Sequence, residues 1–354
     1  RAAGWSASWR FAPFRSVRAV FVNELGAMVH AERPVLVTGA GGFIGGHLVA
    51  DLVADGFDVR AVDIKPVARW YQVHRAAENI EADLRLRSSA FEAVAGSGSI
   101  FNLACDMGGM GFIESNKAAC MVNVLIDTHL LEAARDEDLD AFFYASTACV
   151  YPSYLQDDPG VTALREGDTY PADPEDGYGW QKLFGERLCK NFGEDYGLPV
   201  RVGRYHNVYG PNGTWRGGRE KAPAAVCRKV AEAVRSGRRE IEIWGDGEQT
   251  RSFTFIDDGV RGTRLLAASE VEQPLNIGSS EMVTINELVD LVSDIAGVEL
   301  ERHYDLSAPQ GVRGRNSDNT LVESRLGWSP SITLREGLER TYEWVSAEVN
   351  RVAA

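Results

Sequence analysis

A tyrosine and a lysine four residues apart are the side chains of this sequence that first suggest chemistry. Tyr178 and Lys182 begin a stretch with helical periodicity, so both side chains should project from one face of a helix. An ammonium beside a phenol lowers the phenol pKa from its ordinary value of about 10, and the phenolate can then take a proton from a hydroxyl group. Because the same spacing is also typical of a solvated helix face, its meaning depends on the elements around it.

A cluster of glycines follows a short apolar segment near residue 35. Residues 35–38 predict a buried strand, and a helix is predicted to begin near residue 43, with glycines at intervals of three across the junction. Glycines at this spacing let the backbone approach a pyrophosphate, whose charge then lies at the helix N-terminus. The residues of this turn that we predict to touch a dinucleotide cofactor are Gly39, Gly42, Phe43, Ile44 and Gly45.

An acidic residue selects between the two nicotinamide cofactors. Asp63 ends the next predicted strand, 24 residues after Gly39. A carboxylate at that place accepts hydrogen bonds from the adenosine ribose hydroxyls and repels a 2′-phosphate. The sequence therefore predicts NAD rather than NADP, and with NAD bound, Tyr178 would take a hydroxyl proton while a hydride leaves to the nicotinamide.

Strands and helices alternate along the chain, which predicts an α/β fold. We expect strands at residues 35–38, 58–63, 100–104, 141–146 and 200–204, with helices at 43–55, 116–135 and 179–196 between them and at 224–235, 258–268, 284–296 and 334–349 beyond. Such alternation is typical of a Rossmann-type doubly wound parallel sheet, with ligands at the carboxyl ends of the strands.

The domain prediction follows the change of composition near residue 205. We expect a NAD-binding domain at residues 34–204 and a smaller C-terminal substrate-binding lobe at 205–354, with segments near 253–268 returning to the first domain. Residues 1–33 are predicted to be an N-terminal extension of unknown role. The start of this extension is basic and free of acids, so a targeting segment stays open beside the favoured alternative, an upstream extension with Met28 as a natural start.

Composition excludes several classes of partner. The chain has 354 residues, and its 37 basic and 51 acidic residues give a net charge of -14, which argues against nucleic acid or an anionic membrane as the main partner. No apolar run approaches the ~18 residues of a membrane span. Five cysteines without metal-binding spacing are typical of reduced thiols in a cytoplasmic protein, so we predict neither disulfides nor a metal site.

Together with the glycine turn, the region around Tyr178 resembles the extended short-chain dehydrogenase/reductase family, and in particular its nucleotide-sugar epimerases and dehydratases. Further resemblance lies in residues 104–113, 144–152, 218–225, 244–257 and 311–319, and it covers nearly all of residues 34–349. It is strongest to the epimerases that act on a GDP-linked hexose. The resemblance implies that Thr147 hydrogen-bonds the reacting oxygen, that Lys182 also holds the nicotinamide ribose, and that the cofactor is lined by Asp83, Leu84 and Ala104.

The resemblance also implies a second acid/base pair, Cys149 and Lys221. If the sugar is first oxidised at C4, the hydrogens on C3 and C5 become acidic because the enolate is delocalised onto the C4 oxygen. One group on each face of the ring can then remove and return a proton, and a thiol and an amine have pKa values that an enclosed site can bring towards neutrality. Dehydratases of the same family carry an acidic pair after the threonine, whereas this chain has Ala148 and Cys149, so loss of water is disfavoured.

The substrate expected from the resemblance is a GDP-hexose, whose diphosphate requires local cations in a chain of net negative charge. The predicted substrate-binding residues are Gly108, Thr147, Cys149, Asn207, Glu220, Lys221, Ala222, Lys229, Gln249, Arg251, Arg313 and Arg315. Guanidinium groups suit phosphate because they donate in pairs. The other four cysteines are expected to be small buried hydrophobes, and His206 is expected to be structural.

Two alternatives to a C3 and C5 epimerase remain open from the sequence. One is an epimerase that acts at a single centre or on a different nucleotide sugar, and the other is a non-catalytic NAD-binding regulatory protein. The resemblance further implies a homodimer formed through the helices at 116–135 and 179–196.

Overall fold

The computed structural model describes residues 33–353, in which strands and helices alternate. The strands are β1 (Val35–Thr38), β2 (Val59–Asp63), β3 (Glu78–Glu81), β4 (Ser99–Asn102), β5 (Ala141–Thr147), β6 (Val200–Tyr205), β7 (Val208–Tyr209), β8 (Glu240–Trp244), β9 (Thr250–Ser252), β10 (Thr254–Phe255), β11 (Leu275–Ile277), β12 (Met282–Thr284), β13 (Glu301–Asp305) and β14 (Gly314–Arg315). The helices are α1 (Phe43–Ala54), α2 (Arg87–Val94), α3 (Met110–Ser115), α4 (Lys117–Val122), α5 (Val124–Arg135), α6 (Tyr178–Tyr196), α7 (Ala222–Ser236), α8 (Ile256–Ala268), α9 (Ile285–Ala296), α10 (Thr320–Leu326) and α11 (Leu334–Ala353). The extension predicted for residues 1–33 lies outside the described residues except for Arg33.

The centre of the fold is a seven-stranded sheet with the order β11-β6-β5-β4-β1-β2-β3. All of its strand pairs are parallel, and the direction of strand succession reverses at β1. The four residues of β1 are buried because helices cover both faces of the sheet. The prediction of a Rossmann-type doubly wound sheet is confirmed, and the carboxyl ends of β1 and β4 form the crevice in which such sheets bind ligands.

The helix predicted for residues 116–135 is divided in the structure. Helix α4 ends at Val122 and α5 begins at Val124, with Asn123 between them. The Asn123 amide donates to the carbonyl oxygen of Cys120 at 2.8 Å and to that of Asp106 at 3.1 Å, and its Oδ1 accepts from the Asp106 backbone N–H. Asn123 therefore joins the helix break to the loop that follows β4.

The C-terminal part of the chain contributes small sheets and a helical layer. Strands β12, β9 and β14 form one sheet and β8 pairs with β13, while α7 packs against α9 and α11. Helix α8 packs against α1, and β11 is the outermost strand of the central sheet beside β6. The domain boundary at residue 204 stays a prediction. Between residues 33 and 353, no helix combines the length and the apolar character needed to cross a bilayer.

Candidate active site

The glycine turn between β1 and α1 has the shape that a dinucleotide phosphate requires. Gly39 has φ +70°, and a Cβ at this residue would lie 2.7 Å from the carbonyl oxygen of Leu103. A Cβ at Gly42 would lie 2.9 Å from the Gly39 carbonyl oxygen, and one at Gly45 would overlap that same atom. Side chains are therefore excluded from the turn, which leaves backbone N–H groups at the start of α1 for an anion.

The acidic residue predicted to bind ribose lies beside this turn. Asp63 ends β2 with 7% exposure, and its Oδ1 accepts from the backbone N–H of Lys65 at 2.8 Å. The Lys65 ammonium donates to the Gly41 carbonyl oxygen at 2.6 Å, so this lysine is part of the turn. Asp83 follows β3 and pairs with Arg85, which lowers the Asp83 carboxyl pKa.

Thr38 joins the turn to the segment after β4, a role that sequence reasoning missed. Its hydroxyl donates to Asn102 Oδ1 at 3.0 Å and accepts from the backbone N–H groups of Leu103 and Ala104, each at 3.2 Å. The segment with Ala104, predicted to line the cofactor, is therefore held against the glycine turn. These residues together fit NAD. The glycine turn leaves room for the pyrophosphate, and the Asp63 carboxylate at the end of the adjacent strand β2 can bind the ribose.

The carboxyl end of β5 carries the predicted hydroxyl partner of the tyrosine. Thr147 ends β5, and its hydroxyl accepts from the Cys149 backbone N–H at 3.3 Å and hydrogen-bonds the Tyr178 hydroxyl. Tyr178 is the first residue of α6 and is 6% exposed. Burial raises the pKa of Tyr178 well above its ordinary value, and the nearby thiols of Cys105 and Cys149 add to this rise. Ionisation of this phenol therefore requires a cation close by.

Lys182 lies one helical turn after Tyr178 and is 2% exposed. Its ammonium lies 4.8 Å from the centre of the Tyr144 ring. The charge of Lys182 also reaches the Cys105 thiol, where it opposes the effect of burial that raises the Cys105 pKa to about 12. The predicted Tyr178 and Lys182 pair is thus in the buried interior behind β4 and β5, and it does not form a solvated helix face.

The structure brings the predicted acid/base pair to the same place. Cys149 is 6% exposed and packs in a cluster with Tyr178 and Ile113. Lys221 precedes α7, and burial lowers the pKa of its amine, whereas the nearby Cys149 sulfur raises it. Cys149 therefore lies next to the tyrosine, and Lys221 is within electrostatic reach of Cys149.

Arg315 contacts Cys149, and sequence reasoning did not foresee that contact. Its Nη1 lies 3.6 Å from Cys149 Sγ, its Nε donates to Gln156 Oε1 at 2.7 Å, and its other nitrogen pairs with Glu175. Arg315 is 4% exposed. No sequence motif marks Glu175 or Gln156 as partners, because the contact joins residues more than a hundred positions apart.

The loop after β4 packs against the segment that carries Lys221. The backbone N–H of Gly109 donates to the Arg219 carbonyl oxygen at 3.0 Å, and a Cβ at Gly108 would lie 2.8 Å from Phe112. The Arg219 guanidinium lies 3.7 Å from the centre of the Phe112 ring. The absence of a side chain at Gly108 therefore permits the close approach that brings Lys221 towards β5.

The remaining predicted substrate residues lie in the C-terminal part. Asn207 has φ +45° and donates to the Ser252 carbonyl oxygen at 2.9 Å. Glu220 accepts from the Gly218 N–H at 2.7 Å and pairs with Arg228, while Ala222 begins α7. Lys229 donates to the Glu242 carbonyl oxygen at 2.8 Å, Gln249 to that of Trp244 at 2.9 Å, and Arg313 forms a fork with Asp246 at 2.9 and 3.1 Å.

Arg251 differs from these cations in its partners. Its guanidinium donates to the carbonyl oxygens of Thr250 and Val312 at 2.7 and 2.6 Å and to that of Gln310 at 3.2 Å. Burial lowers the pKa of Arg251 to about 10. Within residues 33–353 no carboxylate forms an ion pair with Arg251, so its charge is available to an anion. A cavity of about 340 Å³ opens nearby, lined by Gln310, Val312 and Glu175 among others.

Comparison with known proteins identifies the family. Residues 35–278 match the family described as NAD dependent epimerase/dehydratase. This chain belongs to that family. The predicted family and its cofactor, NAD, are therefore confirmed.

Relatives within the NAD dependent epimerase/dehydratase family are similar over most of their length. The GDP-mannose 3,5-epimerase 1 of Oryza sativa subsp. japonica is 46% identical over 90% of this chain and 82% of its own length, and the GDP-mannose 3,5-epimerase of Arabidopsis thaliana is 45% identical over 90% and 84%. Among solved structures, a UDP-glucose 4-epimerase from Thermotoga maritima with UDP-glucose has a TM-score of 0.80 at 27% identity, covering 89% of this chain and 99% of that one. A UDP-glucuronic acid 4-epimerase from Bacillus cereus, solved with its nucleotide sugar and NAD, has a TM-score of 0.75 at 26% identity over 89% and 99%.

The glycine turn generates a prediction about cofactor affinity. In Gly45→Ala the new methyl group would overlap the Gly39 carbonyl oxygen, so the turn must open. We expect NAD to bind about tenfold more weakly, since forcing a group into a packed site costs about 1–3 kcal/mol. Isothermal titration calorimetry of NAD measures the change.

A matched control lies one residue further on. In Gly46→Ala the methyl group would meet only the flexible side chain of Gln72, at 3.0 Å. This variant should bind NAD within about threefold of the parent. Equal affinity of the Gly45→Ala variant and the parent would contradict the role given to the turn.

Proposed function

We propose that this chain is an NAD-dependent GDP-mannose 3,5-epimerase. The observation that carries the proposal is the packing of Cys149 against Tyr178, with Lys221 within electrostatic reach of the Cys149 sulfur. The relatives that bear this name, at 45–46% identity, support the choice of a GDP-linked hexose.

The first part of the proposed reaction occurs at C4 of the sugar. When bound at the glycine turn and Asp63, NAD supplies reversible oxidation of the C4 carbon. Tyr178 holds the proton of the C4 hydroxyl, and Thr147 hydrogen-bonds the same tyrosine and positions it. Burial disfavours the phenolate, so the reaction requires a cation, and we assign that role to the ammonium of Lys182, one helical turn along α6.

The second part exchanges protons at C3 and C5. The C4 ketone acidifies both C–H bonds, and Cys149 and Lys221 then remove a proton on one face of the ring and deliver one on the other. Because burial lowers the pKa of Lys221, its amine gives up a proton more readily and can act as the base. The Arg315 guanidinium against the Cys149 sulfur can stabilise the negative charge left when the thiol delivers its proton.

The proposed nucleotide site lies in the C-terminal part. Arg251 is the predicted cation that has only carbonyl partners, so we assign it the diphosphate. We propose Asn207, Gly108 and Glu220 as further substrate contacts, with Lys229, Gln249 and Arg313. For Arg315, the pairing with Glu175 favours a role at Cys149 beside the sugar over one at the phosphates.

The reaction predicts where solvent hydrogen enters the sugar. Incubation of the protein with GDP-mannose in heavy water should place deuterium at both C3 and C5, because both carbons are deprotonated beside the C4 ketone. Mass spectrometry and NMR of the recovered sugar locate the label. Label at one carbon would support an epimerase that acts at a single centre, and a complete lack of label would support a non-catalytic NAD-binding protein.

The acid/base role of Cys149 predicts a selective loss of turnover. Cys149→Ser should lower kcat about 100-fold, because a hydroxyl exchanges protons with carbon far less readily than a thiol, while NAD affinity stays unchanged. Steady-state kinetics and NAD calorimetry measure the two effects.

The buried thiol of Cys227 on α7 provides the control for this substitution. Cys227→Ala should lower the melting temperature and leave kcat within about threefold of the parent. Loss of NAD binding in Cys149→Ser would show that the residue is structural and would remove the proposed role.

We further propose that the chain forms a homodimer and works in the cytoplasm. Large apolar side chains that are 42–51% exposed cover the adjoining helices α4, α5 and α6, namely Met121, Val122, Leu125, Trp180 and Phe184. An exposed apolar face of this kind, formed by adjoining helices, supports a self-complementary interface between two copies of the chain. The five free cysteines suit a reducing compartment.

The dimer predicts a mass difference. The parent should have about twice the 38.8 kDa mass of one chain in light scattering, and Phe184→Glu should have the mass of one chain, because a charge at the centre of an apolar interface is costly. Leu306→Glu, at an exposed apolar residue after β13, is the control and should stay dimeric. A parent protein with the mass of one chain would contradict the dimer.

A further inference from the structure

A buried carboxylate that the proposed reaction does not use lies behind Lys182. Asp127 on α5 is 1% exposed, and its Oδ1 accepts from Asn102 Nδ2 at 2.9 Å. Its Oδ2 accepts from the Tyr144 hydroxyl at 2.9 Å and from Gln181 Nε2 at 2.5 Å. Because all three neighbours donate, the network fits an ionised carboxylate, which only accepts.

Glu186, one helical turn after Lys182 on α6, is paired with Arg204, and Asp127 is the acid among the groups whose raised pKa values the Lys182 charge opposes. Those groups are the Cys105 thiol after β4, the Asp127 carboxyl on α5 and the Cys189 thiol on α6, and the Tyr144 ring of β5 lies against the ammonium. Burial raises the pKa of Cys105 to about 12 and that of Cys189 well above its ordinary value, so both thiols are neutral. Burial also raises the pKa of Asp127, but the Lys182 ammonium is the strongest influence against that rise.

Tyr144 connects the two charges. Its hydroxyl donates to Asp127, which makes the ring more electron-rich, and the face of that ring attracts the Lys182 ammonium. Helix α6 packs closely against Tyr144 and Asp127 because residue 185 is a glycine. A Cβ at this residue would overlap the Tyr144 hydroxyl and lie 3.0 Å from Asp127 Oδ2. Gln181, the neighbour of Lys182, is bonded to the same carboxylate.

We propose that Asp127 is the counter-ion and positioning residue of Lys182. Asp127 positions the Lys182 side chain through Tyr144, and its negative charge keeps the ammonium charged in the buried site. A buried ammonium without a negative partner is costly, and it would give up its proton. The consequence for catalysis rests on the proposed function, in which the charged Lys182 favours the Tyr178 phenolate.

The kinetic test uses the pH dependence of turnover. Asp127→Asn keeps the size of the side chain and removes its charge, so Lys182 should lose its proton at lower pH. We expect the alkaline limb of the kcat profile to move about one pH unit lower and kcat at pH 8.5 to fall about tenfold. Adding Gln181→Glu returns a negative charge to the same network and should restore both. A variant profile with the parent's alkaline limb would overturn the proposal.

A second readout is independent of activity. The chain has six lysines, and carbon-13 NMR of their Cε atoms follows the protonation of each, with Lys182 identified by its loss in Lys182→Met. In Asp127→Asn the Lys182 signal should change over a lower pH range than in the parent. An unchanged range would overturn the inference. A displaced range in a protein that does not act on GDP-mannose would support it and refute the proposed function.

Asp258→Asn is the matched control. Asp258 is 2% exposed and accepts from the backbone N–H groups of Ser331 and Ile332. Its loss should lower the melting temperature without moving the kcat profile or the Lys182 signal. If Asp127→Asn does not fold, the double variant decides: a Lys182 signal that changes over the parent's range supports the proposal, and a displaced one overturns it.

Discussion

The site depends on keeping charges inside a protein interior. A buried phenol resists ionisation, as the raised pKa of Tyr178 shows, so the role proposed for it requires a cation, for which Lys182 is our candidate. A buried ammonium in turn needs negative charge, and a buried carboxylate needs donors. The donors to Asp127 come from β4, β5 and α6, so the arrangement exists only when the sheet and its covering helices are assembled. Enclosure gives these interactions their strength because water does not screen them.

The site also depends on how closely the C-terminal part of the chain packs against the carboxyl end of β5. Lys221 comes from the segment before α7 and Arg315 from β14, and both lie near Cys149. Neither is near Cys149 in sequence. Their positions depend on the loop after β4, where Gly109 bonds the Arg219 backbone, and on Glu175 and Gln156, which hold Arg315. The proposed site for sugar chemistry thus combines several segments that are distant in sequence around the carboxyl end of β5.

The features that could be predicted from the sequence are those that depend on residues close together along the chain. The glycine turn follows from the exclusion of side chains, and the Tyr178 and Lys182 pair follows from helical spacing. The break at Asn123 was not predicted because it depends on contacts with Asp106, a residue in another loop. Asp127 carried no signal either, since an acid in an amphipathic helix usually faces solvent. Strand β3, with two exposed residues, lacks a readable apolar pattern.

The place of β11 has a consequence for how the molecule comes apart. This strand comes from residues 275–277, yet it pairs with β6 at the edge of the central sheet. Helix α8, also from the C-terminal part of the chain, packs against α1. A fragment that stops at residue 204 would leave the hydrogen-bonding edge of β6 bare and a hydrophobic face uncovered, which invites aggregation. Residues 34–204 are therefore not a free-standing module, and we expect the described part of the chain to fold and melt as one cooperative unit.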